Sequence, residues 1–256
     1  MFLTNKNGFS FWQFELLSKQ SQVIHFITCK GSLKDDNSKP LNFRNNNSHF
    51  QESLQVIAGV FEIGPDSVYM AHQSHSKNIM RVKKGMANQG IEDIDAFISH
   101  DRGVCLTVKT ADCVPVLLFD PKVKVIAAVH AGWRGTVKKI LQITIQDMIS
   151  NYGSIPENII AGIGPSICHH CYEIGKEVVE AVKENFSYWE GLITYTGSKT
   201  NLNLQETNKQ QLIRSGVKTK NIEISECCTF ENTDTFYSTR KEGADTGRII
   251  SGILLK

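Results

Sequence analysis

The stretch from Val104 to Ile149 determines the fold class: VCLTVKTADCVPVLLFDPKVKVIAAVHAGWRGTVKKILQITIQDMI. Three apolar segments rich in β-branched residues, 104–109, 114–119 and 123–130, have the length and composition of buried strands. Residues 136–149 then place apolar side chains at i, i+3 and i+4 spacing, which predicts an amphipathic helix that ends before Gly153. Buried strands that lead directly into a helix indicate a mixed α/β protein.

The same alternation continues on both sides of this stretch. The apolar pattern predicts helices at 54–61, 177–183 and 204–215, and short strands at 68–71, 159–163, 222–224, 236–239 and 249–255. The polar segment 32–51 is predicted to be a long loop. We therefore expect an α/β (α+β) fold in which mixed β-sheets are flanked by helices, with the 256 residues forming a single domain.

Composition excludes several classes of protein. Hydrophobic residues make up 41% and charged residues 21% of the chain, as in ordinary globular domains. The net charge of only +2 gives no indication of nucleic-acid binding. No apolar run approaches the roughly 20 residues of a membrane helix, and the N-terminus lacks the features of a signal peptide. Seven cysteines cannot all pair within the chain. We expect a cytoplasmic protein with reduced thiols.

Three side chains at the ends of predicted strands are candidate metal ligands. They are His75, Cys113 and His130. Two imidazoles and one thiolate suit Zn²⁺ and leave a fourth position open, as in catalytic zinc sites, although copper would accept the same atoms. Their wide separation in sequence matches no compact metal motif. The alternative is that Cys113 is a small buried side chain and that both histidines are satisfied polar groups.

The sequence HAGWRG after the third strand is a candidate anion site. Gly132 and Gly135 let the backbone approach a ligand closely, and Arg134 offers a donor fork for phosphate or carboxylate at the start of the predicted helix. The alternative is a plain glycine turn. Arg240, at the end of predicted strand 236–239, is a weaker anion-binding candidate, and Asp112 could orient a ligand or carry a proton.

Four further cysteines form two short motifs. Residues 168–171 read CHHC, and Cys227 and Cys228 are adjacent. No second CxxC pair follows at zinc-finger spacing, so the sequence does not predict a structural finger. Because adjacent cysteines rarely bond each other, Cys227 and Cys228 are expected to be thiols in the core or at the surface.

Seven segments together resemble a known family. In order, they are QSHS (73–76), TADCVPVLL (110–118), HAGWRG (130–135), GIGP (162–165), CYEIG (171–175), CT (228–229) and FYSTR (236–240). They are similar to the YfiH-type purine nucleoside phosphorylase family, also called the laccase-domain or multicopper polyphenol oxidase family. The resemblance extends from about residue 73 to the C-terminus. Residues 1–65 form a divergent N-terminal part of the expected YfiH-like domain.

The resemblance implies a catalytic zinc held by His75, Cys113 and His130. It implies phosphorolysis of purine nucleosides (adenosine, inosine, guanosine and methylthioadenosine) to base and ribose 1-phosphate, adenosine deamination as a second activity, and a monomer. The family's Asn-Arg pair before the metal histidine is missing, so either Arg44 replaces that arginine or phosphate binding is weakened. Phosphate is expected against Arg134, the helix N-terminus and Arg240.

Three other functions remain open from the sequence. A copper-dependent polyphenol oxidase would need several copper ions with many histidine ligands, whereas the chain has only eight histidines. A metal-free cysteine hydrolase could use Cys113 and His130 as nucleophile and base. A nucleotide-binding regulatory module could have lost turnover through the divergent N-terminal part.

Overall fold

The computed structural model describes residues 1–6, 8–31, 40–44 and 49–256. Much of the predicted loop, at 32–39 and 45–48, lies outside the described residues, whereas its last residues, Phe50 and Gln51, begin a helix. In the described part, the helices are α1 (Glu15–Ser18), α2 (Phe50–Phe61), α3 (Trp133–Val137), α4 (Ile140–Tyr152), α5 (Lys176–Asn185), α6 (Leu204–Arg214) and α7 (Thr239–Glu242).

Among the described residues, the strands form two six-stranded sheets and one hairpin. The first sheet has the order β1-β2-β3-β14-β7-β4 and the second β13-β10-β8-β9-β6-β5, while β11 and β12 form the hairpin. The strands are β1 (Phe2–Lys6), β2 (Phe9–Gln13), β3 (Val23–Ile27), β4 (Val68–Tyr69), β5 (Ile79–Arg81), β6 (Ala96–Ser99), β7 (Cys105–Thr110), β8 (Val114–Asp120), β9 (Val125–Ala131), β10 (Ile160–Ile163), β11 (Ile193–Thr196), β12 (Lys199–Leu202), β13 (Ile222–Ile224) and β14 (Ile249–Leu255).

Both large sheets are mixed. In the first sheet, β4 runs parallel to β7, and in the second β10 runs parallel to β13 and β5 to β6. The pairs at the centre, β8 with β9 and β14 with β7, are antiparallel. This confirms the expected α/β class with mixed sheets flanked by helices.

The two sheets pack face to face, with helices outside them. Alternate residues of the central strands, such as Leu117 of β8 and Val108 of β7, meet in one core between the sheets. The opposite face of the second sheet packs against α4, α5 and α6, and the opposite face of the first packs against α2. The central strands are therefore buried on both faces, which explains why their sequences are continuously apolar rather than alternating.

The helix predicted at 136–149 is divided into α3 and α4. Lys139 adopts a left-handed conformation with φ of 64° between them. The carbonyl of Thr136 accepts hydrogen bonds from the backbone N–H of Lys139 at 2.9 Å and from the side chain of Gln211 at 2.9 Å. These donors replace the i+4 bond of a continuous helix, so the buried polar contact with α6 breaks it.

Two other expectations need correction. Residues 236–239 do not form a strand, because the Phe236 N–H bonds to the carbonyl of Asn232 at 2.9 Å and Ser238 caps α7. The predicted strand at 68–71 stops at Tyr69. The N-terminal strands β1 to β3 and the short strands β5, β6, β11 and β12 were not predicted from sequence.

Across the described ranges, no helix has both the length and the apolar character needed to cross a bilayer.

Candidate active site

The fold brings His75, Cys113 and His130 together. His130 lies in β9, Cys113 in the turn between β7 and β8, and His75 in the loop after β4. The Sγ of Cys113 lies 3.5 Å from Nε2 of His75. One ligand atom from each of the three residues falls within 4.8 Å of the other two. The three candidates from the strand-end argument therefore lie together, and their binding of a metal stays a prediction.

A buried carboxylate, Asp95, holds both histidines in place. It precedes β6, is fully buried, and accepts a hydrogen bond from Nδ1 of His130 at 2.7 Å. It also accepts backbone N–H bonds from His75 at 3.1 Å and from Ser76 at 2.8 Å. Because Asp95 occupies Nδ1 of His130, the Nε2 atom is left for a metal. This is the usual second partner of a metal-binding histidine.

Gly132 makes room for the ligands. A Cβ atom at this position would lie 2.5 Å from Cδ2 of His75 and 3.0 Å from Sγ of Cys113. The first glycine of HAGWRG is therefore required by the close approach of the β9–α3 backbone to two ligand side chains. Gly135 serves a similar purpose nearby, because a Cβ there would lie 3.0 Å from the carbonyl oxygen of Ser76.

Cys113, His130 and Asp95 form a charged cluster in the metal-free protein. Burial alone would raise the pKa of Cys113, but the charges of His130 and His75 and hydrogen bonds to them lower it to about 6. Burial would lower the pKa of His130, but Cys113 and Asp95 raise it to about 9. Burial would raise the pKa of Asp95, but its contacts with His130 and Ser76 lower that pKa well below the usual range. The thiolate needed for metal binding is thus already favoured.

The donor set fits zinc with an open coordination position. Two imidazole nitrogens and one thiolate are the ligands that Zn²⁺ accepts, and three protein ligands are typical of catalytic rather than structural zinc. Gly132 keeps a Cβ atom away from His75 and Cys113, which it would crowd. The ligand set and the orientation of His130 by Asp95 therefore both suit a catalytic zinc ion.

The cluster opens into a cavity of ≈ 640 Å³, a size that suits a nucleoside-sized ligand. The aromatic side chains of Phe43 and Tyr172 line it. Four basic residues from four separate segments also line it, namely Arg44, Lys109, Arg240 and Arg248.

The predicted anion-binding residues fall into two groups. Arg240 lines the cavity, where its guanidinium lies 5.2 Å from the Tyr172 ring and donates to the carbonyl of Glu173 at 2.9 Å. Arg134 is exposed, stacks 4.4 Å from the Trp133 ring, and is not among the side chains that line the cavity. Because α3 is only five residues long, its N-terminus adds little to the electrostatic field.

Asp112 is held by two structural hydrogen bonds. It has φ of 85°, and its carboxylate accepts from the Thr229 hydroxyl at 2.7 Å and from the backbone N–H of Arg240 at 2.7 Å. Both carboxylate oxygens are therefore engaged. This geometry favours the orienting role over proton transfer.

The sequence pattern missed Asp95, Lys109, Tyr172 and Arg248. Asp95 follows Glu92 and Asp93 closely in sequence, so it resembles one more exposed acidic residue and gives no local signal of burial. Lys109 does give such a signal, since it is a charged residue at the end of an apolar strand, and it lies almost buried in the structure. Tyr172 lies in the CYEIG segment, which indicates the family but no role for this side chain, and Arg248 carries no local signal.

Comparison with known proteins agrees with the fold and the motifs. A family model described as multi-copper polyphenol oxidoreductase laccase matches residues 26–256. A purine nucleoside phosphorylase of Bacteroides thetaiotaomicron is 33% identical, over 94% of this chain and 95% of its own. Adenosine deaminase RL5, from an unknown prokaryotic organism, is 32% identical over 75% of this chain and 76% of its own.

Solved structures are similar over nearly the full length. The hypothetical protein YfiH of Bacillus licheniformis superposes with a TM-score of 0.89 at 25% identity and 99% coverage of both chains. A Neisseria meningitidis protein, NMB0706, superposes with a TM-score of 0.82 at 28% identity, covering 98% of this chain and 100% of its own. The chain belongs to the YfiH-type family, whose model carries the multi-copper polyphenol oxidoreductase laccase description.

Proposed function

We propose that this protein is a zinc-dependent purine nucleoside phosphorylase. The observation that carries the proposal is the meeting of a His75–Cys113–His130 centre with four basic side chains in one cavity. A reaction between a nucleoside and phosphate needs both an anion site and a group that stabilises the departing base. The name of the relative from Bacteroides thetaiotaomicron supports the same activity.

Phosphate binds on the basic side of the cavity in this proposal. Arg240 and Arg248 provide guanidinium groups, and Lys109 provides an ammonium group. Arg44, whose guanidinium is paired with Asp245 at 2.5 Å, takes the place of the arginine missing from the N-terminal part. Arg134 contributes less, because it lies outside the cavity lining. Purine rings have aromatic faces that suit Phe43 and Tyr172.

Each residue has a defined part in phosphorolysis. A phosphate oxygen attacks the ribose C1′, the C1′–N9 bond breaks with its electron pair moving to the purine, and the phosphate proton ends on the base. The basic side chains orient phosphate, and Asp112 positions Arg240 through its backbone N–H. Asp95 fixes His130 in the orientation that leaves Nε2 for the metal. When bound, zinc supplies Lewis acidity that stabilises negative charge developing at the reacting atoms.

Adenosine deamination is the second candidate activity, because the relative named adenosine deaminase RL5 is 32% identical. Water replaces the amino group at C6 of adenosine, and the products are inosine and ammonia. The reaction uses the same base pocket but needs no phosphate. The lining residues of the proposed site all come from one chain, and we propose that the protein acts as a monomer.

Product analysis tests the proposal. Purified zinc-loaded protein is incubated with inosine and with adenosine, with and without phosphate, and the products are separated by chromatography. Phosphorolysis predicts hypoxanthine and ribose 1-phosphate only when phosphate is present. Deamination predicts inosine from adenosine under both conditions. The variant Cys113→Ala should lose the active-site metal and the product, and turnover that persists without a metal at this site would overturn the scheme.

The same preparation separates the rival functions. A copper oxidase predicts several copper ions per chain and oxygen consumption with phenols. A cysteine hydrolase predicts activity in the chelator-treated protein that alkylation of Cys113 abolishes. A binding module predicts tight nucleoside binding without product.

A further inference from the structure

A second group of metal-binding side chains lies outside the candidate active site. Cys168 and Cys171 belong to the loop after β10, and Cys228 and Glu231 to the segment after β13. One ligand atom from each of these four residues lies within 4.8 Å of the other three. The sequence showed no second pair of ligands for the CxxC motif. In the structure, Cys228 and Glu231, which are distant in sequence, form that second pair.

The two segments present their ligands in the same way. Each contributes residues at positions i and i+3, as CxxC in one and CxxE in the other. In the first, the Cys171 N–H bonds to the Cys168 carbonyl at 3.1 Å, and in the second the Asn232 N–H bonds to the Cys228 carbonyl at 3.0 Å. Each pair is therefore held by a local turn, which fixes its direction before any ion binds.

The spacing of the ligands suits one small cation. A tetrahedral zinc ion with bonds of about 2.3 Å places its sulfur ligands about 3.8 Å apart. The Sγ of Cys171 lies 3.6 Å from a carboxylate oxygen of Glu231. The backbone N–H of Cys168 donates to Sγ of Cys228 at 3.3 Å, a contact that stabilises a thiolate. Cys228 is buried and Glu231 is exposed, so an ion can enter from solvent.

A disulfide explains this arrangement less well than a metal. Pairing any two of the three thiols leaves the third thiol and the carboxylate unexplained. The neighbouring Cys227 points elsewhere and packs against the apolar core between the sheets. The carboxylate also argues against copper(I), which prefers soft ligands only.

We propose that Cys168, Cys171, Cys228 and Glu231 bind a structural Zn²⁺ ion. This site is separate from the candidate active site and does not depend on the proposed function. A fully protein-ligated tetrahedral ion is typical of structural zinc, which contributes directly to folding.

The ion would join two segments that support the active-site wall. In the first segment, the N–H of Ile167 bonds to the carbonyl of Asp112 at 3.0 Å, and Tyr172 lines the cavity. In the second, Thr229 bonds to the Asp112 carboxylate, and its N–H bonds to the Ser166 carbonyl at 3.0 Å. A zinc ion bridging these segments therefore stabilises the position of Asp112 and Tyr172.

Metal counting in variants tests the proposal. Proteins expressed with added zinc and freed of loosely bound metal are analysed by mass spectrometry of the elements. The wild type should carry two zinc ions per chain, and the active-site variant His75→Ala/Cys113→Ala should keep one. Adding Cys171→Ser to that variant should remove the last ion. Cys227→Ser, which changes the adjacent thiol outside the cluster, should keep two.

Cobalt substitution gives a readout that does not depend on activity or on a destabilising change in the cluster. In His75→Ala/Cys113→Ala, bound Co²⁺ should show a strong thiolate-to-cobalt charge-transfer band, because three thiolates remain as ligands. Cys227→Ser added to this variant should leave the band unchanged. Absence of zinc from the His75→Ala/Cys113→Ala variant, no cobalt band in that variant, or a disulfide among these cysteines in freshly reduced and metal-supplied protein would overturn the proposal.

Discussion

At the level of single residues, Asp95 determines the geometry of the candidate metal centre. It touches the His130 ring and the backbone of the His75 loop, so it joins two ligands that are far apart in sequence. The sequence predicted His75, Cys113 and His130 as candidate ligands because each lies near the end of a predicted strand, and strands can be recognised from local sequence. It could not predict Asp95, since an acidic residue that follows Glu92 and Asp93 before a strand resembles an ordinary turn residue until the fold buries it.

Replacing Asp95 by Asn should weaken metal binding while preserving the fold. The amide has the same shape but no negative charge to raise the basicity of His130, so we expect metal affinity to fall about 10–100-fold. Competition with a coloured chelator measures the change. Asp93→Asn is the matched control, because Asp93 is exposed nearby and contacts Asn78. Equal affinity of Asp95→Asn and wild type would contradict the orienting role.

The metal-free protein should contain an unusually reactive thiolate. A folded-state pKa of about 6 for Cys113 means that the thiolate persists from high pH down to about 6 and is lost below it. An ordinary cysteine, with a pKa of about 8.5, loses its thiolate much earlier. The rate of iodoacetamide alkylation, followed by peptide mass spectrometry, should have its midpoint near pH 6.

Two controls belong to this measurement. Added zinc should protect Cys113, and His130→Gln should move the midpoint upward because the imidazolium charge is gone. A midpoint near that of a free cysteine in the unmodified protein would show that the Cys113–His130 pair is neutral.

At the level of secondary structure, the apolar strands were the most predictable part of the fold. Strands β7, β8, β9 and β14 are buried along their whole length, so hydrophobicity alone identifies them. The break between α3 and α4 was not predictable, because it depends on Gln211 reaching the Thr136 carbonyl from another helix. Short edge strands such as β5 carry too few residues for a pattern.

The packing of α1 against β10 depends on a glycine. A Cβ on Gly162 would overlap the ring of Phe14, which is fully buried at the start of α1. Gly162→Ala should therefore lower the free energy of unfolding by about 1–3 kcal/mol, as overpacked cores do. Chemical denaturation measures it. Gly59→Ala in α2, where no atom lies within 4 Å of a new Cβ, should instead stabilise by up to about 1 kcal/mol. A neutral Gly162→Ala would show that Phe14 can move.

At the level of the complete fold, the cavity is assembled from segments that sequence patterns cannot relate. Arg44 precedes α2, Lys109 lies in the first sheet, and Arg240 and Arg248 come from the C-terminal region. The net charge of the chain is only +2, so this concentration of positive charge is local. Sequence patterns predict individual strands and helices, whereas the convergence of basic residues depends on how the two sheets pack. From the sequence, only Arg44 and Arg240 were identified, as separate candidates.

Lys109 should make phosphate binding depend on pH. Burial, and then the charge of Arg248, lower the pKa of Lys109 to about 8, so its ammonium is present below pH 8 and lost above it. If this charge binds phosphate, the KM for phosphate should rise as pH increases through 8. Lys109→Gln should raise that KM about tenfold or more at pH 7, since a hydrogen bond to a charged group contributes about 1.5–3 kcal/mol, and should remove the pH dependence.

The exposed Lys138→Gln should change neither the KM for phosphate nor its pH dependence. A KM for phosphate that Lys109→Gln leaves unchanged, in an enzyme that still performs phosphorolysis, would place phosphate on the arginines alone.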